Sequence, residues 1–172
     1  MRELETERLR LRYLTPDDTQ KIYDNWATDP EVTKYMMWLP HESIEETKRV
    51  MGNWLEAYGK EDTYRYGIEL KESGELIGMI DVVRYENGIP VIGYCSGRRW
   101  WGNGYMTEAL KAVTAELLEN GYSNMKIEAV RENIGSNRVI QKAGYEFTGS
   151  RETPLSQVKP EIVTISTYRY PG

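Results

Sequence analysis

The run Arg99-Trp100-Trp101-Gly102-Asn103-Gly104-Tyr105-Met106-Thr107-Glu108-Ala109, with Asn133 and Ser136 about one α/β unit later, holds the residue types and spacing best suited to chemistry. It reads as a strand, a glycine turn and an amphipathic helix. The first N–H groups of a helix have no partner inside it, and the helix dipole adds positive potential there, so such a turn suits a bound diphosphate. Gly102 and Gly104 let the backbone bend and approach an anion with no Cβ in the way. The pattern Arg/Gln-x-x-Gly-x-Gly is weak by itself, arising by chance in roughly one chain in ten of this length at ordinary glycine usage. A tight turn that simply needs glycine explains it equally well. Other phosphate loops fit worse. Gly97 and Gly102 have the Walker-A separation, but Asn103-Gly104 stands where a lysine and a hydroxyl are required. Thr107 takes the place of the third small residue of a dinucleotide fingerprint.

A rival chemistry lies just upstream. Gly93-Tyr94-Cys95-Ser96-Gly97 mimics a nucleophile elbow with cysteine as nucleophile. A hydrolase of that kind needs its histidine after the nucleophile, and the sole histidine, His41, precedes it. Cys95 then reads as a small buried strand residue beside the ligand.

The elements that position these residues follow from periodicity. Leu9, Leu11 and Tyr13 alternate with arginines and predict a half-exposed strand. Thr15-Pro16-Asp17-Asp18 predicts a helix start capped by Thr15, with the helix running to Ala27. Asp29-Pro30 restarts a short helix toward Trp38, and Ser43 with Glu46 forms a capping box ahead of the face Ile44, Thr47, Met51, Leu55, Tyr58. Residues 64–70, 76–85 and 91–96, separated by Glu72-Ser73-Gly74 and Asn87-Gly88, predict an antiparallel meander. Met106, Leu110, Val113 and Leu117 share a helical face that stops near Gly121. A strand at 125–130, a helix at 136–143 ended by Gly144, and strands at 145–149 and 162–168 complete a mixed α/β chain.

Bulk properties narrow the function. With 40% hydrophobic and 28% charged residues the chain is an ordinary globular protein, not a disordered one. The formal charge of −5 disfavours a general nucleic-acid binder, yet local N–H groups with Arg98 and Arg99 can still hold an anionic cofactor. One histidine and one cysteine make a metal site or an internal disulfide unexpected. The apolar runs are too short for a membrane span and the first residues are no secretory signal, so a cytoplasmic place is expected. Thirteen tyrosines and five tryptophans against one phenylalanine suggest either an aromatic cleft or half-buried rings.

Taken jointly, Thr6-Glu7-Arg8-Leu9-Arg10-Leu11-Arg12, Asp29-Pro30-Glu31-Val32, Leu76-Ile77-Gly78, Ile92-Gly93-Tyr94, the run from Trp101 to Ala109, and Asn133-x-x-Ser136 followed by Gly144-Tyr145 form a specific pattern. Over nearly the whole length it resembles the GCN5-related N-acetyltransferase (GNAT) superfamily, and within it the Rim-type branch of ribosomal-protein N-terminal acetyltransferases. The resemblance implies one domain over residues 1–172 with an α/β (α+β) fold. Its mostly antiparallel central sheet would have about seven strands flanked by helices, with the fourth and fifth strands splayed. It implies acetyl-CoA as cofactor, leaving as CoA, and a primary amine on a protein N-terminus or small molecule as acceptor. Pantetheine would pair with the exposed strand edge at Cys95, Ser96 and Gly97. The pyrophosphate would lie on N–H groups of Gly102, Asn103, Gly104, Tyr105 and Met106, beside Trp101, with Arg99 at the motif's Arg/Gln position. Asn133 matches the residue whose amide touches the cofactor arm, and equally reads as a helix cap.

The implied reaction is direct attack of the amine on the thioester, with no metal. A backbone N–H around Cys95 is the expected oxyanion donor, and Ser136 the expected hydrogen-bond donor to the departing thiolate. Two departures from the family pattern stand out. Ile140 occupies the place where many relatives carry a tyrosine acid, and Val91 the place of a glutamate before Ile-Gly-Tyr. These leave a non-catalytic acyl-CoA sensor of the same fold as the alternative. Asp81 and Glu152 are the remaining candidates for the base, alongside a relay through water. The acceptor pocket is expected from residues 35–41 with Tyr66 and Tyr85, and nearby acids such as Glu42 would suit an ammonium.

Overall fold

The computed structural model describes residues 1–172. Its strands are β1 (Leu4–Glu5), β2 (Leu9–Arg12), β3 (Arg65–Leu70), β4 (Leu76–Glu86), β5 (Ile89–Ser96), β6 (Lys126–Val130), β7 (Glu146–Pro154) and β8 (Ile162–Arg169). Its α-helices are α1 (Asp18–Ile22), α2 (Pro30–Thr33), α3 (Ile44–Ala57), α4 (Tyr105–Glu119) and α5 (Ile134–Lys142). The strands form one sheet of eight in the order β1-β2-β3-β4-β5-β6-β8-β7. Every neighbouring pair is antiparallel except β5 and β6. This is the mixed, mostly antiparallel α/β sheet the pattern implies, with one strand more. The extra one is β1, whose two residues are too few to show an alternation.

Apolar side chains are buried on both faces of the sheet. Leu9, Leu11, Ile68, Ile80 and Ile92 pack with Leu110, Val113 and Leu117 of α4 and Ile140 of α5. On the other face Met79 and Cys95 pack with Ile22 of α1, Trp26 and Met51 of α3. No helix is long and apolar enough to cross a membrane.

The fourth and fifth strands of the implied fold are β5 and β6 here. They pair only at Val91↔Lys126 and Ile92↔Ile127, after which they separate. The Gly97 N–H donates to the Ile77 carbonyl at 2.9 Å. Strand alternation then turns the polar groups of Cys95 toward β4 and those of Tyr94 and Ser96 toward the opening.

Several local expectations are corrected. Thr15 does not cap α1 with its side chain. Instead the Asp18 carboxylate accepts from the Thr15 N–H at 2.8 Å and from Arg12 Nη1 and Nη2 at 2.8 and 2.9 Å. A buried carboxylate must be paired, and Arg12 on β2 supplies the partner. The helix widens into a π turn at Tyr23–Ala27, where Asn25 Nδ2 donates to the Leu76 carbonyl at 2.7 Å and Trp26 enters the core. α2 ends at Thr33 rather than near Trp38. Ser43 does cap α3, and the Glu46 carboxylate returns to the N–H of Glu42 at 3.1 Å. β7 extends to Pro154 because β8 inserts between it and β6 and pairs along its whole length, a long-range partnership no local pattern reveals.

Candidate active site

The glycine turn joins a short 3₁₀ segment, Arg98–Trp100, to α4. Gly102 and Gly104 take φ of +77° and +80°, a region that side-chain-bearing residues enter at a cost. The backbone N–H groups of residues 102–107 donate to no group of the chain, and no side chain caps α4. Unpaired N–H groups at the positive end of a helix form an anion cradle.

Arg8, the residue just before β2, clamps this turn across a long sequence separation. Its Nε donates to Glu108 Oε2 at 2.8 Å, its Nη1 to the Asn103 carbonyl at 2.9 Å, and its guanidinium lies 4.5 Å from the Tyr105 ring centroid. Nη2 donates to no acceptor in the chain and lies 3.4 Å from where a Cβ on Gly104 would stand. The sequence shows Arg8 only as an exposed strand residue, and no local signal marks it as a cation beside the cradle.

A cavity of about 680 Å³ opens on the turn. Of the residues expected to hold the cofactor, Cys95, Ser96, Trp101, Gly102, Gly104, Tyr105, Met106, Asn133 and Ser136 line it. Gly97, Arg99 and Asn103 do not. The Arg99 guanidinium bonds Glu75 at 2.5 Å and stacks on Trp100. Asn103 shapes the turn instead, its Nδ2 donating to the carbonyls of Trp100 and Trp101 at 3.1 Å each. Gly97 is a packing position, since a Cβ there would stand 2.5 Å from the Trp100 ring.

Asn133 caps α5, with Oδ1 accepting from the Ser136 N–H at 3.2 Å. The Ser136 Oγ lies 2.9 Å from the Tyr94 hydroxyl, which also donates to the Ser136 carbonyl at 3.2 Å. Burial pushes the Tyr94 phenol well above its ordinary range, so it keeps its proton. Tyr94 is the residue that sequence reasoning missed. It stood inside the Ile92-Gly93-Tyr94 motif, yet only the packing of α5 against β5 brings its hydroxyl to Ser136. Ile140, by contrast, is wholly buried in the core.

A second cavity, of about 740 Å³, shares Tyr35, Met36, Tyr94, Cys95, Asn133 and Ser136 with the first. Tyr35, Met36, Met37, Trp38 and His41 of the expected acceptor segment line it. Three other expected residues do not. Tyr66 is buried against the opposite helical layer with its hydroxyl unpartnered, Tyr85 donates to the Asp62 carbonyl at 2.7 Å, and Glu42 is exposed. Asp81 lines this cavity, whereas Glu152 is exposed on β7. His41 Nδ1 lies 2.7 Å from Thr47 Oγ1, and burial lowers the ring's pKa, favouring the neutral form. Burial, helped by the charge of Asp81, pushes the Cys95 thiol up to about 12, so it lacks the thiolate a cysteine hydrolase needs.

At the cavity rim Glu128 accepts from Arg84, Lys126 and Arg151 at 2.9, 2.8 and 2.5 Å. Burial pushes its carboxyl up, but the hydrogen bonds of Arg151, Lys126 and Arg84 outweigh that and hold it at about 2. A carboxyl lowered on folding stabilises the fold above its ordinary value of 4.5, and that contribution is lost as pH falls toward 2. Arg84 and Arg151 are half-exposed, so solvent screening holds the effect to ~1–2 kcal/mol. Glu128→Gln is therefore expected to lower Tm at pH 7 and to flatten the acid-unfolding curve between pH 4.5 and 2, read by circular dichroism.

A family model described as an acetyltransferase (GNAT) domain matches residues 8–146. The uncharacterized N-acetyltransferase p20 of Bacillus licheniformis is 31% identical over 158 residues, covering 87% of this chain and 85% of the relative. The uncharacterized N-acetyltransferase YoaA of Bacillus subtilis is 32% identical over 149 residues, covering 85% and 84%. Among solved structures, a RimL ribosomal-protein acetyltransferase in complex with coenzyme A superposes with a TM-score of 0.84 at 18% identity, over 98% of this chain and 97% of that one, a likeness of fold. Because the matched span carries β2, the glycine turn and α5 in order, the chain belongs to the GNAT acetyltransferase family and is an N-acetyltransferase.

Proposed function

We propose that the protein moves an acetyl group from acetyl-CoA to a primary amine, on a small molecule or a peptide N-terminus, by direct attack on the thioester. One observation carries this reading. The two cavities meet at Tyr94, Cys95 and Ser136, and one of them is walled by the uncovered N–H groups of the turn. A donor entering from one side and an acceptor from the other would be held in line, which removes much of the entropic barrier to their reaction.

The residues present fit the cofactor. The N–H groups of residues 102–107 with Arg8 Nη2 form a cationic cradle for a pyrophosphate, without a Cβ at Gly102 or Gly104 to fill it. The open edge at Tyr94 and Ser96 offers backbone groups to an amide-bearing arm, although the Ser96 carbonyl already accepts from Trp101 Nε1 at 3.0 Å. When bound, the cofactor supplies an activated acyl carbon and a thiolate leaving group. Of the backbone donors near Cys95, the edge-facing N–H groups of Tyr94 and Ser96 are placed to steady an oxyanion. Ser136, oriented by the phenol of Tyr94, is the group placed to hydrogen-bond the leaving sulfur, and Tyr94 retains a proton to resupply it.

Incubation with acetyl-CoA and a library of amines, followed by release of free thiol, tests the reaction, and calorimetry with CoA tests the site. Failure of CoA to bind would overturn the reading. Ser136→Ala and Tyr94→Phe are each expected to lower kcat by roughly tenfold or more while CoA affinity changes less, since each removes a hydrogen bond worth about 1–3 kcal/mol beside the reacting atoms. Unchanged kcat in both variants would remove the pair from catalysis.

A further inference from the structure

The acceptor cavity holds a buried carboxylate that is only half used. Asp81 lies on β4 between Arg65 of β3 and Gly93 of β5, in direct register with both. On the β3 side, Arg65 Nε and Nη2 both donate to one oxygen, Oδ2, at 2.9 and 2.7 Å. On the β5 side the partner residue has no side chain. Oδ1 accepts no hydrogen bond from the chain, yet it is not sealed off, because Asp81 lines the cavity and Tyr66 carries the only enclosed, unpartnered side-chain polar atom. Arg65 is itself fixed over the Trp54 ring at 5.6 Å. The rest of the wall is mostly apolar and aromatic, with Trp26, Trp38, Trp54, Met36 and Met79.

We propose that Asp81 Oδ1 binds the ammonium of the acceptor and takes its proton, and that the acceptor is a primary amine on an apolar or aromatic body. This rests on the acetyltransfer reading and adds to it a base and a substrate class. An N–H bond of the ammonium breaks and an O–H bond forms at Oδ1, which frees the nitrogen lone pair for attack. The second proton lost by the nitrogen goes to the departing sulfur beside Ser136 and Tyr94, giving amide and thiol. Asp81 returns its proton to water through the cavity mouth before the next turnover. Arg65 is a positioning residue, holding Oδ2 so that Oδ1 faces the substrate.

The charges around Asp81 fit this task. Arg65 on β3 faces it directly, and Tyr58, the residue that ends α3, and Cys95 of β5 lie close enough to feel its charge. His41, Arg84, Glu128 and Arg151 line the same cavity. Burial raises the Asp81 pKa and Arg65 opposes the rise, which moves the carboxyl toward the range useful to a base at neutral pH.

The test uses the CoA-binding protein with three probes: 2-phenylethylamine, a hexapeptide with an N-terminal phenylalanine, and spermidine as a cation without an apolar body. The wild type is expected to acetylate the first or second in preference to spermidine, which also separates a free amine from a peptide terminus. Asp81→Asn is expected to lower kcat by about 10²- to 10⁴-fold, to erase the acidic limb of the pH profile, and to weaken calorimetric binding of the preferred amine about tenfold. Arg65→Gln is expected to lower kcat, though less than Asp81→Asn does, because Oδ2 is no longer held, and to move that limb to higher pH, because the cation that lowers the carboxyl's pKa is gone. Should Asp81→Asn unfold around an unpaired arginine, the neutral pair Arg65→Gln/Asp81→Asn carries the same expectation of lost turnover. Turnover within threefold of wild type in either aspartate variant, or a preference for spermidine, overturns the proposal. So does a wild type that binds none of the amines. Normal CoA binding in all samples confines the failure to Asp81, whereas its absence in the wild type strikes the acetyltransfer reading.

Discussion

Replacing Gly104 by valine is expected to weaken coenzyme A binding by about 10²- to 10⁴-fold while the protein still folds. Gly104 sits at the N-cap of α4 with φ of +80°, where a β-branched residue is strained by about 1–3 kcal/mol. Its added Cβ would stand in contact with Arg8 Nη2, at 3.4 Å. If the turn keeps its shape, the isopropyl group covers the N–H groups that face the cavity and displaces the arginine. If the turn relaxes, those N–H groups no longer converge. Either course removes two or more hydrogen bonds to a charged phosphate, each worth about 1.5–3 kcal/mol, which gives the stated range. The strain lies in one surface turn, so Tm falls by only about 2–12 °C. Calorimetric titration beside a melting curve reads both quantities, and CoA affinity within threefold of wild type would remove the turn from the binding site. Gly102→Ala places a Cβ that meets no atom of the chain within 4 Å but stands in the cradle at φ of +77°, and is expected to weaken CoA binding less than Gly104→Val.

The second large effect is on stability. Gly97→Ala is expected to cost about 3 kcal/mol and to lower Tm by about 6–12 °C. Gly97 has φ of −61°, so alanine suffers no backbone strain of its own. The whole penalty is steric. The new methyl would stand 2.5 Å from Trp100 Cζ3 and 2.6 Å from the Asn25 carbonyl oxygen. One neighbour is a buried indole and the other is backbone, so neither yields as the end of a flexible side chain would. Well below the melting transition, CoA affinity is expected to change by less than tenfold, because Gly97 does not line the cavity. A large loss of affinity with an unchanged Tm would return Gly97 to the ligand-facing role that its place in the strand suggests.

These two glycines, alike in sequence, take different places in the structure. Both belong to the stretch marked for cofactor binding. Gly104 faces the cavity because two residues at positive φ, which glycine adopts at little cost, turn the chain into α4 and leave its first N–H groups unpaired. Gly97 turns away because Trp100 and Asn25 close over it, and Asn25 arrives from a π turn that no periodicity announces. Arg99 follows the same rule. A long flexible side chain goes to the nearest carboxylate, and Glu75 stands there.

The strand alternation, the meander turns, the α4 face and the glycine turn ahead of it were legible in the residue order, since each depends on neighbours a few positions apart. So was the family pattern, which is a property of many such local choices in sequence. Which side chains meet was not legible. Ser136 meets Tyr94 across 42 positions, Glu108 meets Arg8 across 100, and Asp81 meets Arg65 across a hairpin, opposite a residue, Gly93, that carries no side chain. Such meetings are set by how sheets and helices cross, and a crossing minimises the free energy of the whole core rather than of any one segment. Local chemistry chose a backbone turn with unpaired N–H groups, and long-range packing chose the side chains that line the two cavities.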